Sequence, residues 1–187
     1  MRKLHIARIG YNAVSVIFCL AAVLYLLFPQ LPPLALCIFS GLLLLIYGII
    51  KIVGYFSEDL FCLAFRYDLA FGLLLLAAGI LLLVRHKTAV EYLPGGFGWM
   101  VLLDCFFKIQ MSEEAKKFGL EQWSTISTAA VITGIIGLFL ILSFSRQNAA
   151  RILMILALLS EGSLNHCVVK LTVKNPEAHP ALHQDQP

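Results

Sequence analysis

GLLLLIYGIIK occupies residues 41–51, GWMVLLDCFFK residues 98–108 and ILALLSEGSLN residues 155–165. These stretches stand 57 positions apart, so Gly48, Cys105 and Gly162 align, as do Lys51, Lys108 and Asn165. A second series, Ala22, Gly79 and Gly137, keeps nearly the same step, 57 then 58. A fixed period of this kind marks an internal repeat of one supersecondary unit. None of the three stretches alternates apolar with polar residues, as the strands of a membrane barrel do over ~10 residues. They read as helices. The expected fold is all-α: three pseudo-repeated helical hairpins, six helices in all.

Composition says where such helices reside. Of the 187 residues 60% are hydrophobic and 13% charged, and mean hydropathy is +0.87. Soluble domains carry about 25% charged residues. The apolar residues gather in runs near the roughly 20 residues that a helix needs to cross ~30 Å of hydrocarbon. In lipid a helix satisfies its own backbone groups, which an open strand cannot. Six transmembrane helices are therefore expected, over residues 9–28, 34–55, 64–84, 93–110, 126–144 and 152–171. They form one polytopic bundle, residues 1–174, with hairpins at about 8–55, 64–110 and 124–172. Pro29, Pro32 and Pro33 remove backbone donors and turn the first hairpin. Arg85, His86 and Lys87 end the third span, and Gly95, Gly96 and Gly98 loosen the start of the fourth. The first apolar run, about 19 residues, is longer than the ~7–15 of a signal-peptide core, which predicts a retained helix.

Orientation follows from basic residues, which collect on the cytoplasmic side. With the N-terminus inside, the inner segments hold Arg2, Lys3, Arg8, Lys51, Arg66, Lys108, Lys116, Lys117, Lys170 and Lys174. The outer ones hold Arg85, Lys87, Arg146 and Arg151. Ten against four places both termini in the cytoplasm. Residues 112–123 carry Glu113, Glu114, Lys116, Lys117 and Glu121, and read as a solvated loop or as a short interfacial helix anchored by Trp123. The polar tail, residues 175–187, has too little apolar content to pack and is expected to be disordered. Its His179 and His183 flank Pro180, which disfavours the helix a metal pair would need. Cys19, Cys37, Cys62, Cys105 and Cys167 stand singly and read as free thiols. No metal or cofactor is expected. A scattered net charge of +3 excludes a nucleic-acid footprint. The partners left are the lipid bilayer and a second copy of the chain or another membrane protein.

Small residues recur at spacings that share a helix face: Gly41 and Gly48, Gly72 and Gly79, Gly98, then Gly134 and Gly137. They let helices approach where no hydrophobic effect drives association, so they are assigned to packing. Ionisable residues at membrane depth carry more information, because each costs on the order of 2.5–3.5 kcal/mol to insert. Asp104 and Glu161 occupy matching repeat positions, with Tyr47 as the equivalent in the second helix. Lys108 follows Asp104 by one turn; Asn165 follows Glu161 by one turn, with His166 beyond. Around a pseudo-threefold axis, Tyr47, Asp104, Glu161, Asn165 and His166 would form one polar cluster. Three readings compete: a lock on helix register, a protonatable relay or solute site, or an Asp104 that sits higher and is simply interfacial. Asp68 is placed to pair with Arg66 or, across the repeat, with Lys51. Catalytic residues are not expected: no phosphate loop, dinucleotide fingerprint or nucleophile–base pair is present, and Ser163 does not face Glu161.

The glycine-centred pattern Gly41-x6-Gly48-Ile49-Ile50-Lys51-Ile52, with a first helix ended at Phe28-Pro29, resembles the HdeD family of acid-resistance membrane proteins. The resemblance covers residues 8–172. It implies six helices in a bacterial inner membrane and a link to acid or envelope stress. It carries over no catalytic residue.

Overall fold

A computed structural model describes residues 2–28, 30, 32–56, 68–117, 119, 122–143 and 145–172. They form six α-helices: α1 (Arg2–Leu27), α2 (Pro33–Tyr55), α3 (Asp68–Val84), α4 (His86–Lys117), α5 (Trp123–Ser143) and α6 (Gln147–Thr172). No strand occurs among the described residues. Four helices hold stretches long and apolar enough to cross a membrane: Arg8–Leu27, Leu34–Tyr55, Trp123–Ser143 and Gln147–Leu171. The tail beyond residue 172, Arg66, Cys62 and the expected start of the third span at residue 64 lie outside the described residues.

Local chemistry sets the helix ends. Pro32 holds extended backbone, φ −61° and ψ 136°, and Pro33 opens α2 where its missing N–H costs nothing. Arg85 alone separates α3 from α4; its N–H reaches Leu81 O at 2.9 Å, while Ala89 N–H already reaches Arg85 O at 2.9 Å. Gly119, at φ 71°, adopts the left-handed conformation just past α4, and its N–H meets Lys116 O at 3.0 Å.

The fourth helix departs from the sequence expectation at both ends. It begins at His86, not near residue 93, and runs through Pro94. Membrane helices tolerate an interior proline when neighbours re-satisfy the freed backbone. It also continues to Lys117, with Met111, Ser112 and Ala115 buried. The first half of residues 112–123 is thus a packed helical turn and not a solvated loop. Lys116 Nζ then stands 4.4 Å from the Trp123 ring centroid, tying the end of α4 to the start of α5.

Packing does not follow the hairpins. The most extensive contacts join α4 to α5, α2 to α3 and α1 to α6, each an even helix with an odd helix of another hairpin. Glycine faces explain this. A methyl built on Gly48 would lie 2.8 Å from Gly72 O, and one on Gly79 would lie 2.9 Å from Gly41 O. Gly98 stands in the same relation to Gly137 O, at 2.9 Å, and Gly162 to Ser15 O, at 2.9 Å. Gly134 is looser, with Cys105 Cβ at 3.5 Å. The outward faces are apolar: Leu20, Ile49, Leu81, Phe106, Leu142 and Ile152 are exposed. Five charged side chains, Lys51, Asp68, Asp104, Lys108 and Glu161, lie inside among the described residues. That inversion of a water-soluble protein is what a hydrocarbon solvent demands.

Candidate functional site

Five ionisable side chains are buried together in the bundle: Lys51, Asp68, Asp104, Lys108 and Glu161. Each arrives on a different stretch of helix. Lys51 is on the last turn but one of α2, and Asp68 opens α3. Asp104 and Lys108 are successive turns of α4, and Glu161 is on α6. Lys51 Nζ lies 2.9 Å from Asp68 Oδ1 and 3.3 Å from Asp104 Oδ1. Lys108 Nζ contacts Asp104 Oδ2 and lies 2.6 Å from Glu161 Oε1. Asp104 therefore bridges both ammonium groups, and one chain of charges runs Asp68–Lys51–Asp104–Lys108–Glu161.

Polar and aromatic neighbours complete the cluster. Tyr11 on α1 donates its hydroxyl to Asp68 Oδ2, and Lys51 Nζ donates to Tyr11 OH at 3.4 Å. Tyr47 donates to Asn165 Oδ1 at 3.1 Å. The rings of Tyr11, Tyr47 and Phe71 surround Lys51 Nζ, with centroids 5.3, 5.0 and 5.1 Å away. Such cation–π contacts replace part of the hydration that an ammonium loses on burial. Glu161 Oε2 and Asn165 Nδ2 are buried without a hydrogen-bond partner. Beside them is a cavity of about 20 Å³, lined by Lys51, Asp68, Asp104, Lys108 and Asn165 among others. One water needs about 10–15 Å³ and two to four polar partners, so the space suits a water and nothing much larger.

Of the residues expected from sequence, Tyr47, Asp104, Glu161 and Asn165 meet in this cluster. His166 does not. One residue further round α6, it is exposed, with Nδ1 3.0 Å from Asn12 Oδ1. Asp68 pairs with Lys51, one of the two partners expected for it. Lys51 and Lys108 had served as topology charges, but both are buried, so the count of inner basic residues becomes eight against four. Tyr11 was missed. Its signal was available: it stands 57 residues before Asp68, at the equivalent repeat position. One further step along, 58 residues past Asp68, stands Ile126, which is buried and apolar. α5 thus adds no charge to the cluster.

A second cavity, of about 780 Å³, lies on the other side of the same bundle, in the direction of Arg85 and Pro94. Leu44 and Leu158 line it, each three residues before Tyr47 and Glu161, so it closes just short of the charges.

Apolar outer faces around a buried charge network make this an α-helical membrane protein. Two overlapping stretches, residues 13–84 and 70–142, match the family described as a short repeat of unknown function (DUF308), the domain of HdeD-like proteins. The matches reach from residue 13 to residue 142, more than half of the chain, and the chain belongs to that family. They begin 57 residues apart, at 13 and 70. No curated protein and no solved structure matches the chain.

Proposed function

We propose that this is a non-catalytic membrane protein of the HdeD type, linked to acid or envelope stress through protonation of its buried charge cluster. In this reading three repeated hairpins supply six spans of a bacterial inner membrane, with both termini cytoplasmic. One observation carries it: three carboxylates share two ammonium groups inside the bundle, a net charge of −1 when all five are ionised. Buried ion networks are often no more stabilising than apolar residues of the same volume. Intramembrane ionisable groups, in contrast, mark sites of function by default. A single proton taken from the cytoplasmic side neutralises the cluster. Among the described residues, Tyr11, Tyr47, Asn165 and Cys105 are further polar groups around it, and none of the four carries a positive charge. The adjoining space admits a water or a proton but no solute. Ser163 on α6 is exposed and bonds Leu159 O at 2.8 Å, so it does not join the cluster.

The rival is a small proton-linked transporter or channel, favoured by the alignment of the larger cavity with the cluster. Survival of a deletion strain across external pH, complemented by wild type or Glu161→Gln, tests the first reading. The expected result is acid-specific loss of survival that Glu161→Gln fails to restore at normal membrane abundance. Equal survival at every pH overturns it. Proton or solute flux in liposomes above that of protein-free vesicles selects the rival.

A further inference from the structure

We infer that the 780 Å³ cavity binds the acyl chain of an anionic phospholipid, with the headgroup at Arg85. The argument is independent of the charge cluster. Ligand pockets run from about 300 to 1,000 Å³, so this volume holds a substantial molecule. The cavity body is walled by Leu43, Leu44, Ala78, Phe97, Met100 and Leu158, from α2, α3, α4 and α6. Water entering such a space finds no partners, and an empty one forfeits dispersion contacts along all its walls. The solvent around a membrane protein supplies an apolar filler directly: the lipid chain.

Apart from Ser40 on α2, the polar lining is gathered at one end. Tyr25 stands near the end of α1, Arg85 at the joint of α3 and α4, and Thr88 and Tyr92 on the first two turns of α4. Among the described residues that line the cavity, Arg85 is the one that is charged. A second guanidinium is close by: Arg151 lies 5.9 Å from the Tyr25 ring centroid and donates to Leu26 O at 3.4 Å. An apolar body with a cationic, tyrosine-bearing mouth complements an amphiphile with a negative head. A guanidinium pairs with phosphate oxygens in a bidentate geometry. With two guanidinium groups at the mouth and no acid among the described lining residues, the cation of a zwitterionic headgroup is repelled, which favours an anionic phospholipid. The chain's own C-terminal segment does not fit the space. It is polar, and α6 ends at Thr172, on the charge-cluster side of the bundle, away from Arg85.

Native mass spectrometry of the full-length protein tests this, by titration with phosphatidylglycerol and phosphatidylcholine of identical chains. The wild type is expected to saturate with one tightly held lipid per chain, preferring phosphatidylglycerol by about tenfold. Arg85→Gln, at an exposed position, should reduce that preference to within about twofold. Ala78→Phe or Ala89→Phe, either of which fills the cavity, should lower retention of both lipids with helix content by circular dichroism unchanged. The inference is overturned by many equivalent weak sites in the wild type, or by an undiminished preference in Arg85→Gln. Undiminished retention in a folded cavity-filling variant overturns it too. Should neither phenylalanine variant fold, Arg85→Gln decides alone.

Discussion

Asp104 holds the cluster together, because its two oxygens answer two different lysines on two different helices. Lys108 in turn serves two acids. Among the described residues, its removal leaves Asp104 with Lys51 alone and Glu161 with no cation. Breaking a buried ion pair from one side costs on the order of 3–5 kcal/mol. Lys108→Met should therefore lower membrane abundance and thermal stability in detergent sharply. Glu161→Gln is a different change: the amide oxygen still accepts from Lys108, and the cluster becomes neutral. Its thermal unfolding should match wild type, and a loss as large as that of Lys108→Met would place Glu161 in a purely structural role. The two acids were legible in the sequence, since a carboxylate in an apolar run has few explanations. The lysines were legible only in part: Lys108 stood one turn from Asp104 and Lys51 was one candidate partner of Asp68, yet both were also counted as topology charges, because a lysine near a helix end reads equally as a loop charge. Only the neighbouring helices show that Lys51 is enclosed by three aromatic rings.

At the scale of the helix, backbone approach decides which faces pair. Gly48 and Gly72 leave each other's carbonyl no room for a methyl group, whereas Gly96 has nothing within 4 Å of where its methyl would lie. Gly48→Ala should push α2 from α3 and cost about 1–3 kcal/mol, as overpacking does. Gly96→Ala should be neutral or stabilising by up to about 1 kcal/mol, from helix propensity alone. Thermal unfolding of the two proteins side by side checks the contrast, and equal midpoints would refute the packing argument. The spacing of these glycines is plain in the chain; their partners are not. A small-residue face says that something approaches closely, and any of the other helices could supply it. The length of α4 was hidden for a related reason: Pro94 and three nearby glycines weaken a helix in isolation, and tertiary packing overrides them.

For the molecule as a whole, three tight helix pairs close on themselves, with α1 against α6 joining the two ends of the chain. The proposed six-span topology predicts that reporter fusions after Pro32, Thr88 and Gln147 report outside the cytoplasm, and fusions at Phe118 and the C-terminus inside. An odd number of crossings between the termini would sink this topology. Apolar composition, the near-57-residue step and the depth of Asp104 and Glu161 were determined by the sequence alone, because each is a property of position along one chain. Which helix packs on which, the burial of Lys51 and Lys108, the outward turn of His166 and the cavity at Arg85 were decided only in three dimensions. The physical reason is that a glycine face or a charge specifies a kind of partner, while close packing and charge pairing among six helices select the particular one.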